Sequence, residues 1–98
     1  MAELRFEWSG AKDRVNRRKH GVSFDEARSV FFDDGAKVAF DPDHSDDEER
    51  FLIIGFSVRL RLLLVCFCER EAGNVIRIIS ARKATKRERM QYEERRRE

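Results

Sequence analysis

Ile78-Ile79-Ser80-Ala81-Arg82-Lys83-Ala84-Thr85 is the stretch that decides how this chain is read. An apolar run of strand character, Val75 to Ser80, leads straight into two cations. Thr85-Lys86-Arg87-Glu88 follows as a capping box, in which a hydroxyl and a carboxylate three residues apart satisfy the first N–H groups of a helix. Helix-start amides beside Arg82 and Lys83 make a good phosphate site. No glycine-rich phosphate loop accompanies them, which disfavours nucleotide binding of the Walker type.

Working outward, the pattern predicts the order β-α-α-β-β-β-β-α. Leu4 to Trp8 alternates Leu4, Phe6 and Trp8 against Arg5 and Glu7, a half-buried strand. Ser9 caps a helix that stops at Gly21. Ala11 and Val15 are its only apolar positions, so a narrow docked stripe is expected, with Lys19 on the same side. Ser23 to Glu26 is another capping box, Ser23 capping and Glu26 reaching back, and its helix should end near Asp33 to Gly35. Strands are expected over 36–40, 51–56, 61–68 and 75–80, with a turn at Glu71 to Asn74 and a last helix from Thr85 to Arg96. Arg61 to Cys68 is apolar enough to be dry on both faces. Short links between successive strands imply a largely antiparallel sheet with the helices packed on it, an α+β domain covering residues 1–98.

The chain has 98 residues, 41% hydrophobic and 41% charged, with a net charge of +2. That small sum hides an asymmetry. Asp41 to Glu49 is acidic, whereas Arg14 to His20 and Arg77 onward are basic, so one side of the surface suits a polyanion. Apolar runs reach about seven residues, far short of the roughly 20 that cross a bilayer. The opening MAELRFEWSG has no apolar segment of signal-peptide type. No membrane association is expected, and the cytoplasm is the expected compartment.

Several residues are open to two readings. Cys66 and Cys68 read as two buried core thiols on one strand face, without a disulfide or a metal. His44 reads as part of a solvated acidic loop. Lys19-His20-Gly21 is either a favourable basic helix end or the edge of a cleft. Arg50, Arg59, Arg61, Arg70 and Arg77 either pair with Glu49 and Glu69 or bind an anion.

Glu7-Trp8, Lys12, Asn16, Lys19-His20-Gly21-Val22-Ser23-Phe24 and Glu26-Ala27 resemble the opening of the BrnT family of bacterial type II toxins. Asp43-His44-Ser45, Glu48-Glu49-Arg50, Gly55, Arg61-Leu62-Leu63, Glu69-Arg70 and Ile76 to Thr85 are similar to the rest, from about Phe6 to Tyr92. Three positions depart: Ser9 stands where Asp is expected, Leu60 where Gly is common, and Phe67 where histidine is often found.

The resemblance implies a RelE-like fold and a metal-independent endoribonuclease without cofactor. It also implies neutralisation by a BrnA-like antitoxin, a dimeric ribbon-helix-helix protein that binds operator DNA within a heterotetramer. RNA hydrolysis through the neighbouring 2′-OH needs a base, an acid and cations around the phosphorane. On that chemistry the candidates for catalysis are Lys19, His20, Arg61, Arg77 and Arg82. Arg17, Arg59, Lys83 and Lys86 are candidates to hold RNA phosphates. The alternative is a module, weak or inactive in catalysis, that binds RNA or the antitoxin through the same basic surface.

Overall fold

The computed structural model describes residues 4–41 and 49–96. The elements run β1 (Arg5–Glu7), α1 (Gly10–His20), α2 (Phe24–Ser29), a 3-10 turn (Val30–Phe32), β2 (Lys37–Asp41), β3 (Arg50–Phe56), β4 (Leu62–Arg70), β5 (Val75–Lys83) and α3 (Lys86–Arg96). This is the predicted order. Among the described residues five strands form one sheet in the order β1-β5-β4-β3-β2. β2 to β5 are antiparallel neighbours, and β1 pairs parallel to β5. No helix of the described residues is long and apolar enough to cross a membrane. His44 and the acidic run around it lie outside the described residues.

One face of the sheet carries the core. Val22, Phe24, Ala27 and Val30 pack there on Ile53, Leu63, Val65, Phe67, Ile76, Ile78 and Ala81. Phe67 is 2% exposed. Its ring stacks on Phe51 at 5.6 Å and meets the edge of Phe31 at 4.9 Å. Position 67 therefore points into the core.

The local signals place all three helix starts and the end of α1. Ser9 accepts from the Lys12 amide at 3.2 Å. Gly21 takes φ 69°, and its N–H donates to Arg17 O at 2.9 Å. Ser23 Oγ accepts from the Glu26 amide at 3.0 Å. Thr85 and Glu88 complete both halves of their box, at 2.8 and 3.1 Å.

Five expectations are corrected. Ala11 and Val15 do not dock: both are exposed, and the buried residue of α1 is Asn16. The Glu26 carboxylate does not reach back to Ser23. It turns to Arg61 and to the Ser57 hydroxyl, because a nearly buried charge takes the strongest donors at hand. Two strand arginines take carboxylates other than Glu49 and Glu69: Arg61 pairs with Glu26, and Arg77 with Glu7 at 2.8 Å. β5 does not end at Ser80 but runs through Arg82 to Lys83. Cys68 is buried as expected, whereas Cys66 is only partly buried.

α3 buries Tyr92 against the sheet. Tyr92 is 2% exposed, its ring edge-on to Phe56 at 5.8 Å. Its hydroxyl donates to Asp33 Oδ2 at 3.3 Å. Met90, two residues earlier on another face, stays exposed.

Candidate functional site

The second face of the sheet is open between α1 and α3. A hollow of about 420 Å³ there is lined by His20, Asp41, Arg50, Leu52, Leu64, Cys66, Ile79, Ser80, Ala81 and Arg82. A neighbouring hollow of about 330 Å³ continues past His20, Ile79 and Ser80 to Lys12, Val15 and Lys19. Together they form a groove with an apolar floor and walls that carry Lys12, Lys19, His20, Arg50 and Arg82, with Asp41 as the acidic residue among them.

A β-bulge builds that groove. Cys66 pairs with Ser80, but the next residue, Phe67, pairs with Ile78, so Ile79 is extra in β5. Alternation alone would put Ile76, Ile78, Ser80 and Arg82 on one face. With the extra residue, Ile76, Ile78 and Ala81 enter the core. Ile79, Ser80 and Arg82 line the hollow instead. The bulge thereby turns Arg82 away from the core and into the groove, a common use of this irregularity beside functional sites.

Arg82 is held there by Glu88. Nη1 donates to Oε1 at 2.8 Å and Nη2 to Oε2 at 2.9 Å. Nη1 also reaches Lys83 O at 3.3 Å. A guanidinium has five N–H donors in a fixed fork. Nε–H and the second Nη2 hydrogen, which lie along one edge, have no protein partner among the described residues. That edge matches two phosphate oxygens. Glu88 also accepts from the Thr85 amide at 2.8 Å, so the helix start expected to meet phosphate already carries a carboxylate. The Arg82 fork holds the Glu88 carboxyl down at about 2, and the Thr85 N–H assists while partial burial opposes.

Cys66 lies in the groove floor. Burial pushes its thiol up, Asp41 adds to the rise and Arg50 opposes it. It is a neutral lining group rather than an activated nucleophile.

The predicted residues separate into groups. His20 and Arg82 line the same hollow, and Lys19 lines its extension. Arg61 does not line the groove. Its Nε donates to Glu26 Oε2 at 2.9 Å and its Nη2 to Gly21 O at 3.0 Å, which braces the backbone just after His20. Glu26 is held below its usual range chiefly by that Arg61 bond, with Ser57 and Arg59 contributing against burial. Arg77 is engaged by Glu7 at the β1 edge. Arg17 pairs with Asp13 at 3.4 Å, and Arg59 is 3.7 Å from Glu26 with most of its side chain in water. Lys83 and Lys86 are exposed where β5 gives way to α3.

Asp41 was not singled out in the sequence, and Arg50, open there to ion pairing or anion binding, was not among the candidate site residues. The signal for Arg50 was present. It lies two residues from Leu52 in one strand, so both share the groove face.

Residues 8–88 match the family model for the ribonuclease toxin, BrnT, of type II toxin-antitoxin systems. Among solved structures, the chain is similar to the crystal structure of the Brucella abortus ribonuclease toxin BrnT. The identity is 26% and the TM-score 0.65, over 85% of this chain and 99% of that one. No curated protein matches it. The class is that of toxins from type II toxin-antitoxin systems, which act opposite an antitoxin. Within it, the chain belongs to the BrnT family of ribonuclease toxins.

Proposed function

We propose that the groove binds RNA and cleaves it without a metal, the 2′-OH attacking the adjacent phosphate. The observation that carries this reading is the shared hollow of His20, Arg50 and Arg82. His20 exchanges protons with the attacking 2′-oxygen or the leaving 5′-oxygen. Arg82 offers its open edge to the phosphate, and Arg50 adds charge from the opposite wall, so negative charge building on the phosphorane meets fixed cations. Lys19 extends the cationic wall along the strand of RNA. Arg61, tied to Glu26, braces the backbone just beyond His20, and Arg77, tied to Glu7, lies outside the groove, so neither is assigned to the phosphate.

Phe67 does not disarm this arrangement. It lies in the core, on the face opposite His20 and Arg82. The partner we propose is a BrnA-like ribbon-helix-helix antitoxin, in a heterotetramer that reaches operator DNA only through the antitoxin. One observation favours the alternative of a binding module without turnover. The Glu88 clasp occupies two donors of Arg82 and offsets its charge.

The test is to incubate the protein with RNA in excess EDTA and analyse the new ends. Fragments ending in 2′,3′-cyclic phosphate support the mechanism. Bound but intact RNA establishes the binding module, and cleavage abolished by EDTA contradicts metal independence.

A further inference from the structure

α1 reaches the sheet in an unusual way. Its buried residue is polar: Asn16, 6% exposed, one helical turn before His20. Both ends of the Asn16 amide are engaged. Nδ2 donates to Val22 O at 2.8 Å and to Ala81 O at 2.8 Å. Oδ1 accepts from the Ala81 amide at 3.2 Å. One side chain thus joins three points: the helix that carries His20, the backbone just beyond it, and the strand residue directly before Arg82. No apolar stripe of α1 helps, since Ala11 and Val15 are exposed.

Two donors and one acceptor at this reach are the property of a carboxamide. Asp lacks the donors, Ser has one, and Gln is longer by a methylene. Hydrogen bonds are directional, whereas a hydrophobic stripe can slide, so this attachment fixes the helix end in position and in rotation. Ala81 is also the residue at which β5 returns to the core after the bulge. The same bonds therefore fix both walls of the groove against each other.

We infer that Asn16 is a positioning residue for the ribonuclease reaction, setting the place of His20 relative to Arg82. This rests on the functional reading above. Misplacing a reacting group by about 1 Å costs on the order of 10²-fold in rate. Binding, which depends on cations spread along the groove, is far less sensitive.

The test is a double-mutant cycle on kcat with saturating RNA, using wild type, Asn16→Ala, His20→Ala and the double variant. Val30→Ala, a core truncation remote from the groove, controls for general destabilisation. Asn16→Asp, which keeps the acceptor and loses both donors, replaces the alanine variant if that does not fold. Asn16→Ala should lower kcat by roughly ten- to a hundredfold with RNA Kd changed by less than about threefold. In the His20→Ala background it should add less than about twofold, because the group it positions is already gone. Equal losses in both backgrounds, or an equal loss of kcat in Val30→Ala, would overturn the inference.

A readout without turnover separates this inference from the functional reading. In the free protein, the His20 ring resonances should move in Asn16→Ala and stay in place in Val30→Ala. Unmoved His20 resonances in Asn16→Ala overturn the positioning role even if RNA is cleaved. Moved resonances together with wild-type cleavage by His20→Ala leave the attachment standing and sink the catalytic assignment.

Discussion

Arg82 and Glu88 face each other through two parallel hydrogen bonds, 2.8 and 2.9 Å long, across the junction of β5 and α3. The pair joins the groove to the terminal helix and leaves one edge of the guanidinium unclaimed among the described residues. Glu88 thereby orients Arg82 and starts α3 at the same time.

That pair has a pH signature. Glu88 titrates at about 2 in the folded chain, against an ordinary 4.5. A depressed folded value means that the stabilisation is complete above 4.5 and is lost as pH falls from there toward about 2. Arg82 is more than a third exposed, so solvent screening reduces the contribution to about 1 kcal/mol. Urea denaturation should show Glu88→Gln less stable than wild type by that amount at neutral pH, the gap closing below about pH 4.5. A gap that is constant from neutral pH to the acid limit would refute the assignment.

Arg61 should matter to the fold more than any exposed arginine. The Glu26 side chain is 5% exposed, and Arg61 closes over it through two nitrogens. Arg61→Ala leaves a nearly buried carboxylate with only Ser57 and the more distant Arg59, at a cost of about 3 kcal/mol. Arg59→Ala, with the Arg59 side chain mostly in water, should stay within about 0.5 kcal/mol. Similar denaturation midpoints for the two variants would contradict this account of Glu26.

Gly55 is where β3 passes closest to the 3-10 turn. A Cβ there would lie 2.9 Å from Ala36 Cβ, 3.0 Å from Asp33 Oδ2 and 3.1 Å from Val30 Cγ1. Asp33 cannot easily withdraw, because Oδ2 accepts from the Phe56 amide at 2.7 Å and from Tyr92. Gly55→Ala should therefore cost about 1–3 kcal/mol. Loosening of Tyr92, read from its fluorescence, should accompany the lower thermal midpoint.

Leu60 holds φ 61° at the β3–β4 turn and is 83% exposed. A branched residue is strained in that region, and no burial compensates it. Leu60→Gly relieves the strain but frees the unfolded chain, for a net gain of about 0.5 kcal/mol. Calorimetry showing a lower melting temperature would contradict this reading of the turn.

Much of the fold was legible because its signals are local. Ser9, Ser23 and Thr85 announced their helices by capping chemistry, and Gly21 announced an end. The strands announced themselves by alternation at Leu4 to Trp8 and by apolar runs such as Leu62 to Cys68. What escaped depends on partners distant in sequence. Nothing near Glu26 says that it will prefer Arg61, 35 residues away. The bulge at Ile79 was illegible too, since it exists only in the pairing of β4 with β5, and it decides which way Arg82 points. Val15 looked like the docked residue of α1 because hydrophobicity suggests a stripe. Asn16 won because three backbone groups needed its amide. His20 and Arg82 were found as residue types with suitable chemistry, and their shared hollow emerged only from the sheet.

The central claim is that this groove cuts RNA through His20 and Arg82. The direct measurement is the initial rate of RNA cleavage in EDTA, without antitoxin, for wild type, His20→Ala and Arg82→Ala, each confirmed folded. Loss of proton transfer should slow His20→Ala by about 10² to 10⁴-fold, with RNA still bound. Arg82→Ala should lose both rate and affinity. Wild-type cleavage by both variants would place the chemistry elsewhere on the molecule.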